Sequence, residues 1–236
     1  MNTIAAAMVA RDRILTTLRT AAIMEYRDDH QHLKAHETID ARRPADLRVA
    51  VSSPFGVALI VTANGNRIQI FDPGNNALYF GAATASTLDR FARIPMEPGA
   101  AIGLMMGLAP DAVRLANASS TLAPDGTVVL DYQADDGGAR EAGFVDGHLT
   151  MVRALGNGGV IEYEVRYSDY RDIGGVQFPY VVEASFPAAG SSLKFVYQRP
   201  IVNDPIDDSV FTIVPAANTR EIDLDQQPVA PTAPRG

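Results

Sequence analysis

The period of the apolar positions changes three times along this chain, and the changes divide it into segments. Ile4, Met8, Val9, Leu15 and Leu18 fall close to one face of a helix, with Arg11, Asp12 and Arg19 off it. Asn2 or Thr3 stands where an N-cap would. A helix packed on a sheet is the plain expectation. From Ala22 the period becomes two. Residues 23–27 read as a strand, Asp28-Asp29 as a turn, and 32–41 as a second strand, with Leu33, Ala35 and Ile39 alternating against Lys34, His36 and Thr38. A third strand, 46–53, carries Leu47, Val49 and Val51 on one face. Pro54-Phe55-Gly56 turns into 57–62, Asn64-Gly65 signals a hairpin, and 66–72 and 76–81 continue an antiparallel meander.

Helical spacing then returns. Residues 84–92 place Leu88 and Phe91 on one side, and 98–108 carry Ile102, Leu104, Met105 and Met106, with Pro95, Pro98 and Pro110 as punctuation. After Asp125-Gly126 the alternation resumes over 127–134, 139–145, 148–155, 159–168, 178–186 and 191–199, with Gly-rich turns between, and 210–214 fits a last short strand. From Thr219 the chain turns Pro-rich and polar. The expectation is one domain over 1–218 and a tail without fixed structure over 219–236.

Strands, a helical pair and strands again predict an α+β fold, an antiparallel sheet with helices gathered on one face. A long twisted sheet curls on itself. With helices in the way of closure, it becomes an incomplete antiparallel β-barrel with a helical plug and an N-terminal helix. The space between is lined by Val, Leu, Ile, Phe and Met. It is either a cavity for an oily ligand or a core filled by these side chains, and the periodicity fits both.

Composition narrows the chemistry. The 236 residues carry a formal net charge of -8, and no basic cluster beyond Arg42-Arg43 offsets it, so nucleic acid is excluded as an expected partner. Cysteine is absent, which removes disulfides, thiolate catalysis and cysteine-held zinc. Met1–Ala22 is broken by Arg11, Asp12, Arg13 and Arg19 and does not read as a signal peptide; for an exported protein, the targeting segment is expected to be missing from this sequence.

The segment Leu47-Arg48-Val49-Ala50-Val51-Ser52-Ser53-Pro54-Phe55-Gly56 resembles the strand and turn of the outer-membrane lipoprotein-sorting proteins of the LolA/LolB type, and of the LolB receptor in particular. Leu88-Asp89-Arg90-Phe91-Ala92-Arg93-Ile94-Pro95-Met96-Glu97-Pro98, continuing to Met106-Gly107-Leu108-Ala109-Pro110, is similar to the two-helix plug of that family. Ile70-Phe71-Asp72-Pro73 and Tyr79-Phe80-Gly81 stand between them in the family's order. The resemblance covers 22–111 by motif and the later strands by pattern. It implies a half-barrel at the periplasmic face of the outer membrane or free in the periplasm. Such a protein holds lipid acyl chains or lipoproteins, exchanges them with a periplasmic carrier, needs no cofactor and is not an enzyme. The cavity would be lined by Val49, Val51, Leu59, Val61, Ile68 and Ile70 from the sheet and by Leu88, Phe91, Ile102, Met105 and Met106 from the helices. Phe55 matches the turn position where the receptor exposes a leucine to the membrane; the plain alternative folds it back on the sheet. The acylated N-terminal Cys of the receptor has no counterpart here.

Other clusters have simpler readings. His30, His32 and His36 alternate on a strand as a zinc set would, but solvent-facing strand histidines account for them and no metal is expected. Asp131, Asp135 and Asp136 lack the spacing of a calcium loop. Glu162 and Glu164 near Arg166 read as a solvated face. Tyr163, Tyr167, Tyr170 and Tyr180 could rim a cavity mouth or decorate a sheet edge. No nucleophile elbow, P-loop or zincin motif occurs. The alternative to a lipid binder is an envelope interaction or scaffold module with the same fold and a filled interior.

Overall fold

A computed structural model describes residues 2–92 and 94–226. Fourteen strands form a single sheet in the order β14-β6-β5-β4-β3-β2-β1-β13-β12-β11-β10-β9-β8-β7. These are β1 (Thr17–Arg27), β2 (His32–Arg42), β3 (Asp46–Ser53), β4 (Gly56–Asn64), β5 (Arg67–Asp72), β6 (Ala77–Ala82), β7 (Ser119–Leu122), β8 (Val128–Gln133), β9 (Ala139–Val145), β10 (His148–Leu155), β11 (Ile161–Ile173), β12 (Val176–Phe186), β13 (Ser191–Val202) and β14 (Arg220–Asp223). Three α-helices accompany them: α1 (Asn2–Ile14), α2 (Ala85–Ala92) and α3 (Pro98–Met105). Hairpins make successive strands antiparallel neighbours, and the long β1–β13 pairing joins the two halves of the chain. The end strands β14 and β7 do not meet, so the curled sheet stays open.

Register decides which residues look inward. Ile39 faces Val49, Val49 faces Val61, Val61 faces Ile70 and Ile70 faces Tyr79 in one row across β2 to β6. A second row runs Leu59–Val51–Glu37–Ala22–Tyr197 from β4 to β13. Because side chains alternate strictly, everything in these rows shares the concave face. The main core lies there: Leu18, Ala22, Ile39, Val152, Val165, Val182, Leu193 and Phe195 pack with Met8 of α1 and with Ala101, Ile102, Leu104 and Met105 of α3.

The convex face carries charge. Lys34 pairs in register with Glu25, Glu25 with Lys194, Lys194 with Glu183 and Glu183 with Arg166, an alternation of sign across five strands. Lys34 Nζ stands 2.9 Å from a Glu25 oxygen and Lys194 Nζ 2.5 Å from Glu183. Arg153 continues the pattern between Glu141 and Glu164, so Glu164 belongs to this solvated ladder.

A strap, residues 203–219, crosses the convex side of β2 to β6. Arg42 donates to the Ile206 carbonyl, Arg48 to Val210 and Gln69 to Ile213, while the Ile213 N–H returns a bond to the Gln69 amide oxygen. Phe211 is buried beneath the strap, with the Arg42 guanidinium 4.9 Å from its ring centre. The strap then delivers β14 parallel to β6.

Several boundaries differ from those expected. The first helix stops at Ile14, and Leu15 and Leu18 are buried at the entrance of β1 and within it, where the sheet claims apolar residues that also fit a helical stripe. The expected strand at 210–214 is a 3-10 turn over Asp208–Phe211 followed by extended chain. The tail expected to lack structure from Thr219 instead contributes β14, because Asp225 accepts the Ala82 N–H and Leu224 donates to Phe80, which fixes the end of the strand. Residues 227–236 of that tail lie outside the described residues. Removing the ring of Phe211 by Phe211→Ala should cost about 3–5 kcal/mol in a urea titration, since it opens a cavity in the contact that pins the strap.

Candidate functional site

The concave face and the helices over it are the natural place to look for a ligand. Helix α2 is short and held at its N-terminal end by two side chains. The Thr84 hydroxyl accepts from the Thr87 N–H at 3.3 Å, and a Glu97 carboxylate oxygen accepts from the Ala85 N–H at 3.2 Å. Its apolar face delivers Leu88 and Phe91 to Val61, Ile68, Ile70, Leu59 and Tyr79, a small cluster separate from the main core. Tyr79 and Phe91 meet with ring centres 5.6 Å apart.

Helix α3 is apolar all round, as a helix enclosed by protein must be. Pro98 occupies its first turn. Gly107 ends it at φ 69, and a Cβ there would stand 2.8 Å from the Pro179 ring. Two polar side chains tether its C-terminal end to the walls. The Tyr197 hydroxyl donates to the Met105 carbonyl at 2.9 Å. The Arg11 guanidinium of α1 donates to the carbonyls of Met106 and Gly107 at 3.3 and 3.2 Å, and to Gln177 on β12. Carbonyls freed at the helix end thereby find donors, with a cation at the negative pole of the helix.

The eleven residues expected to line a cavity therefore divide. Val61, Ile68, Ile70, Leu88, Leu59 and Phe91 come together in the smaller cluster. Ile102, Met105 and Met106 lie in the main core, with Val49 packed against it. Val51 is half-buried on the row between Glu37 and Leu59. Between α3, the 94–96 link and strands β11 to β13 lies a cleft lined only by apolar side chains, among them Ile94, Met96, Leu104, Met105, Val182 and Phe195. Met105 is the one expected residue on it. The strand residues Val165, Val182, Phe186, Leu193 and Phe195 obey the same alternation as the earlier strands, which is the signal that would have found them. The cleft's free volume is 30 Å³, about that of one water in the liquid, whereas pockets for small ligands run to about 300–1,000 Å³. Larger hollows have mixed linings: one of 490 Å³ between the strap and β4–β6 sets Thr62, Arg67 and Gln69 beside Phe80 and Phe211, and one of 450 Å³ beside α3 sets Arg43, Asp135 and Arg140 beside Leu104, Leu108 and Pro110.

Two polar groups interrupt this apolar interior. The Tyr167 hydroxyl is buried with no hydrogen-bond partner among the described residues. Glu37 is only 6% exposed and looks inward between Ala22 and Val51. Burial raises its pKa to about 7. The neighbouring Tyr197 hydroxyl is pushed up by its own burial and, in smaller measure, by the Glu37 charge. Glu37 was not anticipated, although it occupies the inward phase between Ala35 and Ile39.

At the β3–β4 turn Phe55 is 99% exposed and Val57 47%, so the ring does not fold back on the sheet. Of the histidines, His32 stands 3.8 Å from Glu25. Among the described residues no three His, Asp or Glu side chains gather as a metal site. The Tyr170 hydroxyl donates to the Leu149 carbonyl, and Tyr180 lies under the Arg171 guanidinium. No helix among the described residues is long and apolar enough to cross a membrane.

No protein-family model and no curated protein matches the chain. Solved structures do. A DUF1329 family protein from Desulfovibrio piger ATCC 29098 superposes with TM-score 0.61 at 10% identity, over 89% of this chain and 96% of its own. A domain assigned to outer-membrane lipoprotein sorting from Vibrio parahaemolyticus gives 0.60 at 8% identity, over 89% and 94%. A LolA superfamily protein from Nitrosomonas europaea gives 0.58 at 12% identity, over 89% and 97%. The chain has the LolA-like fold; at these identities the likeness is one of fold.

Glu37 makes the fold sensitive to pH. Its pKa is raised by folding from 4.5 to about 7, so the proton it holds stabilises the native state fully below the lower value, and this contribution is lost as pH climbs through the upper one. Urea titrations between about pH 4 and pH 8 should show that loss in the wild type and not in Glu37→Gln, a difference on the order of 3 kcal/mol across the window.

Proposed function

We propose that this protein is a non-enzymatic binder of lipid acyl chains or lipoproteins, acting in the periplasm or at the periplasmic face of the outer membrane, and that it holds the chains against the concave face of its sheet. The observation that carries the reading is the lining itself. Inward positions from β2 to β6 and from β10 to β13 are Val, Leu, Ile, Phe, Tyr and Ala almost without interruption, and two eight-residue helices cover them. Each methylene laid on such a surface gains about 0.8 kcal/mol.

With 30 Å³ free, the all-apolar cleft leaves no room for a chain, so binding there requires movement. The part suited to it is α2, which rests on the sheet through Leu88 and Phe91 in its own small cluster, whereas Ile94 and Met96 of the link pack on the main core. Helix α3, tethered by Arg11 and Tyr197, would stay. In this reading α2 and α3 act together as the plug, and entry is a local opening at the weaker of the two. The apolar cleft marks where the chain would begin, and Val51, Leu59, Val61 and Ile70 the surface it would reach once α2 lifts.

Phe55 would be the membrane contact. An aromatic ring fully in water at a hairpin tip, beside an exposed Val57, gains by insertion among lipid tails. The neighbours of like fold include one assigned to lipoprotein sorting, which agrees with such a role.

The narrowness of the cleft favours one other reading, an envelope interaction or scaffold module whose interior is simply its core. Titration with a fluorescent fatty acid separates the two: a saturable signal displaced by unlabelled fatty acid is expected for a binder, and none for a filled scaffold. A second measurement addresses the tip. Phe55→Ser should weaken sedimentation with phospholipid vesicles several-fold and leave the melting temperature unchanged, since the ring makes no buried contact to lose.

A further inference from the structure

The interior is apolar by composition, yet it carries one acidic side chain that protein packing alone does not explain. Glu37 sits at the middle of β2 with Ala22 on one side and Val51 on the other, all facing inward. Tyr197 lies next along the row, but its hydroxyl is committed to the Met105 carbonyl. Arg11, a half-buried cation on α1, is committed to three backbone carbonyls. Other acidic side chains of the sheet, Glu25, Asp40, Glu141, Glu164 and Glu183, stand on the convex side opposite a basic partner. Glu37 has no such partner among the described residues. Its oxygens are not among the sealed, unpaired side-chain atoms of the described residues, so the covered stem ends in a carboxyl at the edge of the accessible concavity; a leucine of similar size would fill the position without the cost of desolvating a carboxyl.

We propose that the Glu37 carboxyl is a ligand-binding group, which receives the amide at the head of an acyl chain lying along Val51 and Leu59. This rests on the reading of the concave face as an acyl-binding surface and adds the chemistry of what it recognises. Glu37 marks the boundary between buried and accessible concavity: Ala22 and Ile39 are sealed, while Val51 and Leu59 are half-buried and open on the β3–β4 side. A chain on that open side ends beside the carboxyl. Burial keeps the carboxyl protonated up to about pH 7, so it presents one O–H donor and one acceptor oxygen. A secondary or primary amide offers the complement, a carbonyl that accepts and an N–H that donates, and both groups are satisfied as a neutral pair. An ammonium head would require two ions to be stripped of water together, which the apolar surroundings penalise. An ester head offers acceptors only, and a bare hydrocarbon offers nothing.

The test uses the full chain near pH 6 and three competitors of equal length, N-methyldodecanamide, methyl dodecanoate and dodecane, each displacing a fluorescent fatty acid. Wild type should bind the amide roughly tenfold more tightly than dodecane, the worth of one to two neutral hydrogen bonds, with the ester between. Glu37→Leu should lose that preference while still binding dodecane. Glu37→Gln, whose amide also donates and accepts, should keep most of it. Neither substitution threatens folding, since each removes a buried ionisable group. An amide preference in Glu37→Leu equal to that of wild type overturns the assignment and leaves the acyl-binding reading intact. So does a wild type that does not discriminate among the three. Failure of every competitor and of the probe to bind overturns both.

Discussion

A curled sheet that does not close must cover its concave face with something other than itself. Here the end strands β7 and β14 stay apart, and inward-looking side chains of a dozen strands would meet water if the concavity were empty. The cost of that exposure, about 25 cal/mol per Å², organises the rest of the chain. It accounts for the two short helices in the middle of the sequence, for the packing of α1 on the same face, and for the uniformly apolar α3, which would be insoluble as a free helix and is stable only as the filling of the curl.

Because the filling is helical, its ends carry unpaired backbone groups into a dry place, and polar side chains are drawn in after them. Arg11 and Tyr197 have this origin: one is half-buried, the other buried, and each answers a carbonyl at the end of α3. The Tyr167 hydroxyl is sealed without a partner among the described residues, and Glu37 stands between Ala22 and Val51 with no basic residue opposite it. The distinction between polar groups that complete the scaffold and those that do not is what turns a packed interior into a candidate recognition surface. The solved structures of like fold agree on the scaffold, and at 8–12% identity they are silent on the second kind of group.

Much of the scaffold was readable from the sequence. The strand hairpins from β1 to β6 and from β8 to β13 follow the alternation and the Gly-rich turns closely, because both effects are local. What the sequence hid depended on neighbours distant along the chain. Leu15 and Leu18 suit a helical stripe and a strand equally, and the long pairing of β1 with β13 decided between them. Strand β14 has no apolar alternation worth the name; it exists because β6 offers it a row of free backbone groups. Glu37 was hidden by its own polarity: it shares the phase of Ala35 and Ile39, but a glutamate there reads as a break in the apolar face, and the register with Ala22 shows that it points inward all the same. The division of the cavity residues into two clusters was also invisible, because it depends on where the short helices dock. Phe55 was legible as a turn residue, while its full exposure was not, because a ring at that turn fits either outcome.

The alternating charges on the convex side have a bearing on how the sheet assembles. Seen from within, neighbouring strands are nearly interchangeable: slide one past another by two residues and apolar still meets apolar. From outside the same slide is conspicuous, since moving β2 by one such step against β1 sets Lys34 opposite Arg27 in place of Glu25. Such exposed pairs add little to the stability of the finished sheet. Their value lies in discrimination, in penalising misaligned intermediates of a chain whose oily side alone cannot tell one alignment from the next.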